Sequence, residues 1–116
     1  MSDITDVLTP DDAARRLGLE PRRLKQLVRD RALLAAPGGA HKGIMAASIA
    51  KGEDGWEPLW NLPGTLTVLS DGGFSDEEAL NWLYTPLEEL GGQTPIDALI
   101  AGRQKKVNAI ASGLAF

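Results

Sequence analysis

Arg22, Lys25, Gln26 and Arg29 recur at i, i+3, i+4 and i+7, the spacing that gathers side chains on one face of an α-helix. Arg23 flanks that face, and Leu24, Leu27 and Val28 fall on the opposite side. The two nearby acids, Glu20 and Asp30, lie off it. Lys25 and Arg29 form a like-charged i, i+4 pair, which costs an isolated helix about 0.2–0.5 kcal/mol. A face that merely keeps a helix in water mixes both signs. A surface built of Arg, Lys and Gln instead fits phosphate oxygens and the acceptor edges of purines in a major groove. The competing reading is an ordinary amphipathic helix with a basic outer side; the uniform sign of the face favours the groove reader.

The elements around this face must hold it out. Thr9-Pro10-Asp11-Asp12 is a helix start, with Thr9 as cap, Pro10 at the first helical position and two carboxylates at the positive end of the dipole. Ala13, Ala14 and Leu17 then share one side, and Gly18 can take the left-handed conformation that closes a helix. Pro21 opens a second helix expected to run to about Arg31. Two short helices joined by a Gly-containing turn make a helix-turn-helix. The apolar runs 32–36 and 44–45 flank a Pro/Gly-rich loop and predict a β-hairpin wing over about 35–45. Its tip carries His41 and Lys42, the lysine placed for phosphate. The candidate DNA contacts are therefore Arg22, Arg23, Lys25, Gln26, Arg29, Arg31 and Lys42.

The net charge of the 116-residue chain, −4, at first points away from a polyanion. Its distribution points back. Residues 1–12 hold four acids and no base, residues 13–42 hold eight bases against two acids, and residues 43–116 hold four bases against ten acids. A segment of net +6 thus lies between acidic flanks, an asymmetry that marks a nucleic-acid-binding segment. The absence of Cys excludes disulfides, Cys zinc sites and thiol nucleophiles, and a single His excludes a multi-His metal site. No apolar run approaches the ~18 residues of a membrane span, and the N-terminus lacks the basic start of a signal peptide. The expectation is a cytoplasmic protein without cofactor or metal.

Residues 50–61, with two Gly, a Pro and acids at Glu53, Asp54 and Glu57, read as a connector. Beyond it the chain looks helical, so the fold expected is mainly α: a winged helix-turn-helix over 1–49, the connector, and a helical C-terminal domain over 62–116. Pro63–Ser70 makes a short apolar helix ended at Asp71-Gly72-Gly73. Ser75-Asp76-Glu77-Glu78 is a capping box, Thr94 caps a further helix with Ile96, Leu99 and Ile100 inward and Gly102 at its end, and Val107, Ile110, Ala111 and Leu114 line the last. Lys105 and Lys106 face away from that stripe. Trp56, Trp60 and Trp82 could stack on single-stranded bases, but the acids beside the first two favour core packing. Glu77-Glu78 and Glu88-Glu89 are adjacent and so point apart on a helix, and no phosphate-binding Gly loop is present. Nothing supports catalysis.

Leu62-Pro63-Gly64-Thr65-Leu66-Thr67-Val68-Leu69-Ser70-Asp71-Gly72-Gly73-Phe74, Trp82-Leu83-Tyr84-Thr85-Pro86, Pro95-Ile96-Asp97-Ala98-Leu99 and the closing Ala115-Phe116 resemble a small actinobacterial family. Its members pair a winged helix-turn-helix with a short helical C-terminal domain, and one is a DNA-binding substrate of a Ser/Thr protein kinase. The resemblance implies sequence-specific or nucleoid-type binding of double-stranded DNA, which makes transcription regulation the leading expectation, and a kinase acting near the N-terminus, where Thr5 and Thr9 are the available threonines. A second resemblance, over Trp82-Leu83 and Leu90–Leu99, is to the toxin-binding domain of antitoxins. It implies a protein-interaction module in which the acidic half grips a partner. A homodimer or protein partner through the C-terminal half fits either reading, since one winged helix covers only a short site.

Overall fold

Helix α1 (Pro10–Leu17) starts as its sequence requires: the Thr9 hydroxyl accepts the Asp12 N–H at 3.1 Å, and Pro10 occupies the first turn. In this computed structural model residues 5–53 and 55–114 are described, in two units, Met1–Trp60 and Asn61–Phe116. Asp3, Asp54, Ala115 and Phe116, which entered the charge tally or the family resemblance, lie outside the described residues.

In the first unit, α1 packs on α2 (Pro21–Arg29). Ala13, Ala14, Leu24, Leu33, Ile44 and Ile49 form the core, with Leu8, Leu17, Leu27 and Val28 packed against it. The apolar sides of both helices therefore bury as their spacing predicts, while the basic side of α2 stays in water. Strand β1 (Val7–Leu8) pairs antiparallel with β2 (Ile44–Met45). On the other side of β2, Ala35 bridges Ile44, with Ala36 N–H donating to the Gly43 carbonyl at 2.9 Å and Met45 N–H to that of Leu34 at 2.8 Å. Gly43 has φ 141°, and a Cβ there would lie 2.5 Å from Val7 Cγ1 and 2.6 Å from the Leu8 carbonyl oxygen. No side chain fits at this crossing.

Residues 50–61 are not the expected connector. Strands β3 (Ile49–Gly52) and β4 (Gly55–Pro58) form an antiparallel hairpin in which Lys51 faces Trp56 and Gly52 faces Gly55. Buried Ser48 fastens its base: the hydroxyl accepts Leu34 N–H at 3.1 Å and donates to the Met45 carbonyl at 2.8 Å, while its own carbonyl accepts Leu59 N–H.

The second unit is all helical: α3 (Leu62–Asp71), α4 (Asp76–Leu83), α5 (Pro95–Ile100) and α6 (Gln104–Ser112), with a 3-10 turn at Glu88–Leu90. Leu62, Leu69, Leu83, Ile96, Leu99 and Val107 are fully buried between them. Two buried polar groups find partners across the helices, while the buried Asn61 Oδ1 has none among the described residues. Asn61 Nδ2 donates to the Leu99 carbonyl at 2.8 Å, and Thr65 donates to Asn108 Oδ1 at 2.6 Å. Ile100, expected inward, is half exposed. Pro95, Ile96, Ala98 and Leu99 are the buried residues of α5, and at about 100° per residue Ile100 falls about 120° from the centre of their arc.

Candidate nucleic-acid interface

Two helix ends set the geometry of the basic face. Gly18 closes α1 at φ 68°, its N–H donating to the Arg15 carbonyl and Leu19 N–H to that of Ala14. This is the paired-bond closure with a left-handed residue, and it turns the chain into α2. Leu24 is buried and Leu27 and Val28 are half buried, so Arg22, Arg23, Lys25, Gln26 and Arg29 all stand exposed on the other side. Among the described residues no carboxylate is paired with a cation of α2; the Arg15–Asp12 pair, 3.5 Å apart, belongs to α1 and, being exposed, is worth about 0–1 kcal/mol. Arg23 Nη1 donates to Gln26 Oε1 at 2.9 Å. That bond joins the flanking Arg23 to the face and leaves the Gln26 amide hydrogens to meet acceptors.

Arg31 does not continue the helix. α2 ends at Arg29, Asp30 is its cap, and Arg31 has φ 61°. A further helical turn would set position 31 at i+7, i+4 and i+3 from Leu24, Leu27 and Val28, on the buried stripe. The chain leaves the helix first, at a cost of about 1–2 kcal/mol for a left-handed non-glycine residue.

The wing is shorter than a regular ladder. Pro37 to Lys42 forms a loop closed by a 3-10 turn over Ala40–Lys42, with His41 and Lys42 exposed on it. A recess of about 100 Å³ is lined by Leu24, Lys25 and Val28 of α2 together with His41 and Ile44. The loop and α2 thus share one surface.

Thr9 is exposed, but its hydroxyl oxygen is the α1 cap; Thr5 lies in an exposed turn. Trp56 and Trp60, expected in the core, are 40% and 70% exposed. A two-stranded hairpin has no second layer to cover both its faces. Trp56 instead stacks under Arg16, whose guanidinium carbon lies 4.7 Å from the ring centroid, a cation–π contact between α1 and β4. Arg16 and Trp56 are 40 residues apart in the chain, and no local pattern connects them. Trp82 is half buried on α4. No described group of three or more His, Asp or Glu side chains could hold a metal ion, and no helix among the described residues is long and apolar enough to cross a membrane.

Residues 59–115 match the family model described as the Rv2175c C-terminal domain, of unknown function. The second unit is similar to that domain. Over nearly the whole chain, the protein is similar to the DNA-binding protein Rv2175c of Mycobacterium tuberculosis, with 29% identity across 129 aligned positions that cover 96% of this chain and 86% of the relative. The solved NMR structure of Rv2175c aligns with a TM-score of 0.75 and 25% identity, covering all of this chain and 85% of that one. The family expected from the sequence, actinobacterial with a helical C-terminal domain after a winged helix, is the one these likenesses return.

Proposed function

We propose that this protein binds double-stranded DNA and regulates transcription, α2 entering the major groove and the wing loop touching phosphate. The observation that carries the reading is the face of Arg22, Lys25, Gln26 and Arg29, exposed and without paired carboxylates among the described residues. Its likeness to a relative named as a DNA-binding protein supports it. Arg22 and Gln26, nearer the start of α2, are the base readers, since the N-terminal residues of a recognition helix reach base edges. Arg23 and Arg29 hold phosphate with Lys42. A Ser/Thr kinase acting at Thr9 regulates the same interface, because a phosphate adds about −1.5 to −2 charge on the unit that carries the basic face and alters the cap of α1.

The decisive experiment titrates the wild type and an Arg22→Ala/Arg29→Ala variant against duplexes selected from a random pool, at about 50 and 200 mM salt. The variant loses at least about tenfold in affinity, and its salt slope falls by about one, the phosphate contact of Arg29. Its melting temperature stays near wild type, because both side chains are exposed. Unchanged affinity and salt slope overturn the assignment.

A further inference from the structure

Among the described residues, four α-helices end in the same pair of backbone bonds. Beyond α1, α3 closes with Phe74 N–H on the Leu69 carbonyl and Gly73 N–H on that of Ser70, and α5 with Arg103 N–H on Ala98 and Gly102 N–H on Leu99. α2 repeats them, Ala32 N–H donating to Leu27 and Arg31 N–H to Val28, at 2.9 and 3.1 Å. The turning residue is left-handed each time: Gly18 at 68°, Gly73 at 94°, Gly102 at 82° and Arg31 at 61°. Among the described residues Arg31 is the one non-glycine with positive φ. A glycine would make this turn without steric conflict. The benefit of a cation at a helix C-terminus is already supplied by Arg29 in the last turn.

We propose that Arg31 is a phosphate contact of the DNA interface, kept at the end of α2 although glycine there would make the fold more stable. The proposal rests on the DNA reading and refines it. The C-terminal end of a groove-reading helix contacts the DNA backbone. A charge at that point therefore meets phosphate and contributes equally on every sequence. Arg31 is exposed and lies two residues beyond Arg29, so it adds a solvent-facing cation just past the end of the helix. Strain held where a ligand binds, and compensated by the surrounding structure, is the pattern expected of a functional position.

Arg31→Gly and Arg31→Lys test both halves. The wild type and both variants are melted, then titrated with a random-sequence duplex pool and with the tightest selected duplex, at about 50 and 200 mM salt. Arg31→Gly melts several degrees higher. It binds both DNAs weaker by the same factor, about threefold to tenfold, with the salt slope lower by about one. Arg31→Lys, which keeps the charge and the backbone conflict, stays near wild type in all three measurements. Wild-type affinity and slope in Arg31→Gly overturn the proposal, as does a lower melting temperature or a loss confined to the selected duplex. Those outcomes leave the DNA reading standing if the wild type binds; a wild type that binds neither DNA ends both.

Discussion

Helices α2 and α4 are nearly equal in length, yet their ends follow opposite rules. α4 opens on a complete capping box: Glu78 N–H donates to the Ser75 hydroxyl at 3.2 Å and Ser75 N–H to Glu78 Oε1 at 2.9 Å, with Asp76, Glu77 and Glu78 at the positive end of the dipole. α2 opens on Glu20, which makes no side-chain cap bond, has no acid in its first turn, and places Arg22 and Arg23 there instead. Cations at that end are unfavourable. The far end of α2 carries Arg31 where its sister helices carry glycine. α4 satisfies the preferences of its N-terminus in full, whereas α2 departs from them at its start, on its exposed side and at its left-handed closure. Such violations are expected where a surface is shaped for a ligand, and a helix that binds an anion, as proposed for α2, has reason to carry charges that its own dipole disfavours. What holds α2 in place is the apolar stripe beneath it.

Removing that stripe is the strongest way to separate the two helices. Leu24→Ala leaves a cavity under α2 and costs about 2–5 kcal/mol, read as a large fall in melting temperature with DNA binding lost alongside it. The caps give a smaller and more selective contrast. Ser75→Ala destabilises by about 1 kcal/mol, whereas Glu20→Ala, which breaks no cap bond, leaves the melting temperature close to wild type; equal losses would mean that α2 is capped after all. Acid gives the finest distinction. The hydrogen bonds from the Ser75 backbone N–H, chiefly, and from its side chain hold the Glu78 carboxyl below its ordinary value of 4.5. Its contribution is therefore present above that value and is lost as pH falls through the lowered one. Melting curves taken from neutral pH downward should show Glu78→Gln converging on wild type at the acid end, with a small effect because the carboxylate is exposed.

The start of α1 at Thr9, its closure at Gly18, the capping box at Ser75 and the basic face of α2 were legible because each is a local arrangement, decided within a few residues by capping, dipole and helical period. Three features were not. The β3–β4 hairpin buries only Ile49 and leaves Lys51, Trp56 and Glu57 exposed, so it lacks the alternation that betrays a half-buried strand, and its acids and glycines imitate a linker. The pairing of Val7–Leu8 with Ile44–Met45 joins segments far apart in the chain. The end of α2 is decided by the stripe that Arg31 would otherwise enter, and only the folded core shows how full that stripe is. In the candidate site the helix-borne residues Arg22 to Arg29 could be placed from periodicity alone, whereas Arg31 and the contact of Arg16 with Trp56 needed the fold.

That last contact gives the molecule an optical handle. An indole under a guanidinium emits differently from one facing water, and the first unit holds one of each, Trp56 beneath Arg16 and Trp60 largely bare. Arg16 is a long-chain cation on α1, the helix that precedes α2, so a polyanion that drew it away would uncover the Trp56 ring. The emission colour of the unlabelled protein would then register the arrival of the ligand, against the steadier glow of half-buried Trp82 in the other unit.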